Sequence, residues 1–286
     1  MRDTTGAMTI RVASRSDRLA ICSLLQQAWH SAGGARWDQL DALEMGCAAL
    51  LAFRGAQAAG FSLFDLRASP VGRLSAVTVA DGEQVADVWD ELWSAAETYL
   101  REEGVQSAYY VGEAPWLLQL LTGSGFRQTS TLVSYEKIQD TPTIAGHPGV
   151  RLRPARREDL EALEEIDTAS FPFLWRYPRR MLEMAMQPTS RLILAELDRR
   201  LIGYYLGTQD GGEGQIVRLA VLPEYRHKGV GSRLLADALD AFRRGRVRRV
   251  SVNTQSDNLP AQRLYERFGF RQTGEELPVL VKALSD

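Results

Sequence analysis

Cysteine is nearly absent from this chain: Cys22 and Cys47 are the only two in 286 residues, and each sits inside an apolar segment. A disulfide framework is therefore not expected, and a reducing, cytoplasmic setting fits. Histidine is as scarce. His30, His147 and His227 are scattered along the chain, so no metal constellation is expected. No apolar run is long enough to span a bilayer and no apolar leader opens the chain, so no membrane partner is expected either. Charge of one sign is also missing. The 34 Lys and Arg nearly balance the 36 Asp and Glu, which argues against a general nucleic-acid binder, because affinity for a polyanion scales with the phosphates neutralised. The five arginines between Arg243 and Arg249 form a local basic run, read as a solvated helix end or as a contact to a cofactor phosphate.

What the chain does have is an apolar run that becomes a basic, glycine-spaced loop and then an amphipathic pattern. Val217, Leu219 and Val221 alternate with Arg218 and Ala220, the period of a strand, and Pro223 ends it because proline cannot donate to a ladder. Further on, Leu234, Leu235, Ala238, Leu239 and Phe242 recur at helical spacing. Between them lies Arg226-His227-Lys228-Gly229-Val230-Gly231-Ser232. Gly229 and Gly231 allow a tight turn that brings backbone N–H groups close to an anion, the helix start adds its positive dipole end, and Arg226 and Lys228 add charge. This is the chemistry of a pyrophosphate cradle, with His227 on its surface. It matches neither G-x-x-x-x-G-K-[ST] nor G-x-G-x-x-G. Alone, it would read as a basic loop that caps a helix.

About thirty residues later comes Asn258-Leu-Pro-Ala-Gln-Arg-Leu-Tyr265-Glu-Arg-Phe-Gly269-Phe270. The ordered pair, R/Q-x-x-G-x-G/A and then N-x-x-A-x-x-L-Y-x-x-x-G-F, resembles the Gcn5-related N-acetyltransferase (GNAT) family over roughly residues 150–283. The resemblance implies an α+β fold with a mixed central sheet, a splayed pair of parallel strands and flanking helices. It implies acetyl-CoA as cosubstrate, no metal, and transfer of acetyl to a primary amine by direct attack in a ternary complex. By the same resemblance the pantetheine arm lies along Leu219, Ala220 and Val221, with the Val221 N–H near the thioester oxygen. The pyrophosphate sits on Arg226 to Ser232, Asn258 contacts the cofactor, and Tyr265 O–H protonates the leaving thiolate. Read from residues alone, Tyr265 beside a Phe-Gly-Phe turn is also an ordinary core aromatic, and Asn258 before Pro260 an ordinary helix cap.

The chain also repeats itself. Ile10-Arg-Val-Ala-Ser-Arg-Ser-Asp17 returns as Leu152-Arg-Pro-Ala-Arg-Arg-Glu-Asp159, each followed by an apolar stripe, which in the first copy runs through Leu19, Ile21, Leu24, Leu25, Ala28 and Trp29. Gly125-Phe-Arg-Gln-Thr129 and Gly269-Phe-Arg-Gln-Thr273 are identical. Two tandem GNAT-like domains are expected, 9–138 and 150–286, joined by a Pro/Gly-rich linker at 139–149. At the sites the copies differ. Arg226, Gly229 and Gly231 align with Glu83, Ala86 and Val88, Asn258 with Ala114 and Tyr265 with Leu121. The first copy is therefore expected to have lost cofactor binding and to serve as scaffold, with Trp89, Trp93, Trp116 and Tyr99 packing its core or an interdomain face.

The general base departs from the family's pattern. Positions that carry a glutamate in many family members hold Gln215 and Asn253, neither of which can accept a proton. Three routes remain open: an acceptor amine of low pKa, a water relay held by Gln215 and Asn253, or Glu213, two residues before Gln215, which is otherwise plain turn charge. Acceptor recognition is expected at Phe171-Pro-Phe173-Leu-Trp175-Arg-Tyr177-Pro178, where two prolines forbid a regular helix, with core packing the competing reading. A non-catalytic acyl-CoA sensor is the alternative from another class. A mycothiol-synthase-like enzyme acting on a cysteinyl sugar is the alternative within acetyl transfer. The chain is expected to be a monomer or a homodimer.

Overall fold

The computed structural model describes residues 7–33, 46–138 and 144–284. Strands and helices follow one another in the same order twice. The first round is β1 (Met8–Val12), α1 (Arg18–Gln27), β2 (His30–Ala32), β3 (Cys47–Arg54), β4 (Gln57–Asp65), β5 (Val71–Val79), α2 (Val85–Glu102), β6 (Ser107–Val111), α3 (Pro115–Gly123) and β7 (Arg127–Lys137). The second is β8 (Arg151–Pro154), α4 (Leu160–Ser170), α5 (Arg179–Met184), β9 (Ser190–Leu197), β10 (Arg200–Asp210), β11 (Glu213–Val221), α6 (Val230–Arg244), β12 (Arg249–Gln255), α7 (Leu259–Arg267) and β13 (Arg271–Ala283). The fold is the mixed α/β sheet architecture expected, with antiparallel ladders and one parallel pair in each round.

Contacts divide the chain into two compact units that do not follow the repeat. One comprises Met1–Ser130 with Leu277–Asp286, the other Thr131–Glu276. In the first unit β6 pairs antiparallel with Val279–Ala283 of β13. In the second, β12 pairs antiparallel with Leu132–Lys137 of β7. Each unit thus takes its last strand from the other half of the chain, a difference from the expected boundaries of 9–138 and 150–286. Of the linker expected at 139–149, residues 139–143 lie outside the described residues. Residues 144–149 are packed against the second unit: Ile144 joins its core, and the His147 N–H donates to Gly229 O at 3.1 Å.

Each unit is a sheet between two helical layers. In the first, α2 and α3 cover one face through Trp89, Trp93, Leu117 and Leu121, and α1 covers the other through Ile21, Cys22 and Leu24. The stripe read for α1 extends too far. Leu19 is 83% exposed and Trp29, beyond the helix end, 88%. Trp89 and Trp93 stack 5.8 Å apart inside the core. In the second unit, α6 and α7 cover one face through Leu234, Leu235, Phe242 and Tyr265, and α4 and α5 the other through Leu160, Leu163, Ile166 and Leu182. The two copies begin alike. Arg11 and Asp17 form a two-pronged pair at 2.6 and 2.7 Å, and Arg153 and Asp159 repeat it at 2.7 Å on both prongs.

Candidate active site

The site begins where β11 and β12 part. These parallel strands pair from Glu213↔Arg249 to Ile216↔Val252 and no further. Beyond that point β11 pairs only with β10 among the described residues, down to Val221↔Gly203, while β12 continues on β7. On that open side of Leu219 to Val221 no strand pairs among the described residues, and only Val221 O has a partner, the Arg226 guanidinium; an extended chain could complete the rest by β-augmentation.

The loop that follows has the alternating backbone from which anion nests are built. Gly229, the residue before α6, has φ +81°, and His227 has φ +61°, so left-handed residues alternate with ordinary ones. The first-turn N–H groups of α6 have no acceptor within the helix and add to it. Gly231 plays a different part from the one expected: it is helical, and a Cβ there would stand 3.3 Å from Leu264 of α7. Lys228 Nζ lies 5.3 Å from the Tyr225 ring centre. The Arg226 guanidinium is turned along the loop, donating to Val221 O at 3.2 Å and to Ser170 O at 3.2 Å. Beside it, the buried Ser170 Oγ has no hydrogen-bond partner among the described residues.

Asn258 is the N-cap of α7. Its Oδ1 accepts from the Ala261 N–H at 3.4 Å and its Nδ2 donates to Thr254 Oγ1 at 3.0 Å, so the capping reading is realised and both ends of the amide are committed. Tyr265 is buried between the rings of Tyr135 and Phe270, at 6.0 and 5.8 Å. Burial pushes its phenol well above the usual tyrosine value, and no hydrogen bond to it is formed among the described residues. It keeps its proton over any working pH.

The expected proton acceptors separate. Gly214 and Ile216 face α6, as do Val250 and Val252, so Gln215 and Asn253 emerge exposed on the other face of neighbouring strands. Glu213 is on the wrong end. Eight strand residues at ~3.3 Å each put it roughly 26 Å from Val221. It is exposed there and 3.9 Å from Arg249, which also pairs with Glu136. That geometry removes Glu213 as a base. A carboxylate that sequence reasoning missed is linked to the strand position opposite Asn253. Asn253 is opposite Ser134 on β7, and the Ser134 hydroxyl donates to Glu275 Oε2 at 2.6 Å. Nothing local in the sequence ties Glu275 to Asn253.

The aromatic segment after α4 also divides. Arg218, which strand alternation alone would leave unremarked, is buried at 8% exposure and stands between Phe171 and Tyr177, with ring centres 3.8 and 3.7 Å from its guanidinium carbon. Those two rings are occupied in stacking. Phe173 is 44% exposed and Trp175 half-buried. Among the described residues no cluster of His, Cys, Asp and Glu could hold a metal, and no helix is long and apolar enough to cross a membrane.

A splayed parallel pair, an anion nest and a helix N-terminus in succession define an acyltransferase of the GNAT fold, and comparison with known proteins agrees. A sequence model described as the acetyltransferase (GNAT) family matches residues 160–270. The chain is 31% identical over 123 residues to a putative ribosomal protein bS18-alanine N-acetyltransferase of Bacillus subtilis, covering 82% of that protein and 43% of this chain. It is 33% identical over 125 residues to a mycothiol acetyltransferase of Clavibacter sepedonicus, spanning 41% of it. The fold of a tandem GNAT protein from the clavulanic acid biosynthesis pathway covers 98% of this chain and 99% of that one, with a TM-score of 0.66 and 15% identity. The chain belongs to the GNAT acetyltransferase family.

Proposed function

We propose that this protein is an N-acetyltransferase whose second unit binds acetyl-CoA and transfers its acetyl group to a primary amine by direct attack in a ternary complex. The observation that carries the assignment to that unit is a difference between equivalent strand edges. In the first unit β5 parts from β6 after Leu74↔Tyr110, as β11 parts from β12, but the freed edge is occupied. His30, Ser31 and Ala32 of β2 pair with Val79, Thr78 and Val77. Gly33 packs so closely there that a Cβ would lie 2.1 Å from Ser75 O. The first unit also lacks the loop: residues 80–84 join β5 to α2, five residues, where residues 222–229, eight, join β11 to α6. Glu83 stands in it, ion-paired to Arg54 at 3.0 Å. The first unit is thus a scaffold without a cofactor site.

When bound, acetyl-CoA presents a thioester carbonyl to the attacking amine. Leu219 to Val221 would pair with its amide-bearing arm, and the Val221 N–H would donate to the carbonyl oxygen as charge develops there. His227 to Ser232 would hold the pyrophosphate by N–H groups, with Arg226 and Lys228 supplying charge. As the C–S bond breaks, Tyr265 O–H, protonated and otherwise unpartnered, would donate to the departing sulfur. The proton lost by the amine would pass to water reaching Asn253 and on to Glu275 through that water; Gln215, six strand residues or roughly 20 Å from Val221, stands too far along β11 to share in it. Phe173 and Trp175 would wall the acceptor. The acceptor named for the Bacillus relative, an alanine α-amine, suits this weak base arrangement: an α-amine near ~8 is neutral far more often at pH 7 than a lysine near ~10.4. The 41% span of the mycothiol enzyme gives the cysteinyl-sugar alternative less support.

Isothermal titration of acetyl-CoA tests the reading. One site per chain is expected, abolished by Gly229→Glu/Gly231→Glu. Two sites per chain would refute the scaffold role of the first unit, and none would refute the enzyme.

A further inference from the structure

Arg218 lies on the strand proposed to hold the acetyl-CoA arm, yet its side chain reaches the loop after α4. Its Nε donates to Tyr204 Oη at 3.0 Å, and its Nη2 donates to Asp167 Oδ2 at 2.6 Å and to Trp175 O at 2.9 Å. Asp167 is fully buried, and its other oxygen accepts the Tyr177 N–H at 2.7 Å. Phe171 and Tyr177 close over the two faces of the guanidinium. Burial works against the charge of Arg218, but Tyr204 and Asp167 beside it outweigh that, and its pKa is raised. Apart from a short 3-10 turn, Phe173–Trp175, the loop has no ladder or helix of its own to fix it, so these contacts decide where it lies.

The first unit shows where such a loop goes without them. The segment after α1 is the counterpart of the loop after α4, and there it runs as β2 along the freed edge of β5. By strand register Arg218 corresponds to Ala76 and Tyr204 to Phe61, and by the repeat Asp167 corresponds to Leu25. All three replacements are apolar and pack in the α1-side core. We infer that the Arg218–Asp167–Tyr204 cluster is a latch that holds the 171–177 loop off the edge of β11 and so keeps the acetyl-CoA slot open. The inference rests on the acetyl-CoA reading of the second unit. Arg218 is a positioning residue in it. Lysine could not replace it, since it would supply neither the second donor group nor a flat face for the two rings.

The experiment is acetyl-CoA titration with limited trypsin digestion of the full chain carrying Arg218→Lys. A single charge left buried costs more than none, so Asp167→Asn/Arg218→Met is the second variant should the first not fold. Folded latch variants are expected to bind acetyl-CoA at least tenfold more weakly. In them, added acetyl-CoA should speed cleavage after Arg176, Arg179 and Arg180, because the ligand displaces the loop from the slot. In the wild type it should not. A merely destabilised protein would behave oppositely, since a ligand that binds the folded state protects it. Wild-type affinity in a folded variant, or protection by acetyl-CoA, would overturn the latch. A wild type that binds no acetyl-CoA would instead refute the function proposed above, and the latch with it.

Discussion

Replacing Gly146 by alanine asks whether the stretch before β8 is a tether or a part of the cradle. A Cβ on Gly146 would lie 2.2 Å from the Arg233 nitrogen, 2.4 Å from its Cα and 2.5 Å from its Cβ. Ordinary contact begins near 3.5 Å, and the opposing atoms are mostly backbone of the first turn of α6, so no side chain can swing aside. Either residues 144–149 lift or the helix start moves. Lifting sacrifices the His147 N–H to Gly229 O bond, about 1 kcal/mol net, and exposes Ile144. Moving the helix shifts Gly229 and the nest. Overpacking of this kind costs about 1–3 kcal/mol. At roughly 2–4 °C per kcal/mol for a unit of this size, the midpoint should fall by about 2–12 °C.

Differential scanning fluorimetry reads that fall, and acetyl-CoA titration should show a loss of affinity of about tenfold, ~1.4 kcal/mol. Gly123→Ala is the control. It ends α3 with nothing within 4 Å of an added Cβ, so its midpoint should hold or rise. A Gly146→Ala protein that melts and binds as the wild type does would refute the packing argument.

Three further outcomes are expected. Glu275→Gln should lower kcat while leaving acetyl-CoA affinity alone; an unchanged kcat would remove Glu275 from the proton path. Asn258→Ala should cost about 0.5–1 kcal/mol of stability, the low end for a cap because its bond is long, and leave acetyl-CoA affinity unchanged in titration. The Arg153 guanidinium, with the Arg156 N–H, holds the Asp159 carboxyl below the usual carboxylate range. The stability this lends is present above the unfolded carboxylate value, near pH ~4, and is lost as pH falls through the lower folded value. Asp159→Asn should therefore flatten the fall in melting midpoint below pH ~4, and an unaltered slope would show that the pair contributes nothing.

The sequence was most legible where one local rule decided the outcome. Pro223 and the 3.6-residue recurrence from Leu234 to Phe242 marked the strand end and the helix, and Gly229 marked the turn. What stayed hidden depended on partners distant in sequence. Arg218 is a charged residue in an alternating strand, and partners remote in sequence, Asp167 and Tyr204 among them, 51 and 14 residues away, make its burial tolerable. His30-Ser-Ala32 carries no strand pattern and becomes a strand because an open edge is there to be paired. The exchange of final strands was invisible for a further reason. Gly-Phe-Arg-Gln-Thr opens both β7 and β13, so nothing in that sequence distinguishes which unit each strand should complete. The glycines and proline of 144–149 suggested a free linker, whereas Gly146 is small because it must lie against α6.

The difference between the two units reduces to how a strand edge is satisfied. Unpaired backbone N–H and C=O groups are costly when shielded from water, so an edge freed by splaying has to be completed by something. In the first unit the chain supplies β2, Gly33 gives it room, and the loop to α2 is too short to form a nest. In the second the corresponding segment packs around a buried cation between two rings, and the open edge runs on into the loop turned by His227 and Gly229. On the proposed reading, an extended amide chain ending in phosphates would complete both features at once. Recovering a cofactor site in the first unit would thus need more than removing Glu83. It would require displacing β2, lengthening the 80–84 loop, and burying a charged latch among Leu25, Phe61 and Ala76, where each intermediate leaves a polar group unpaired.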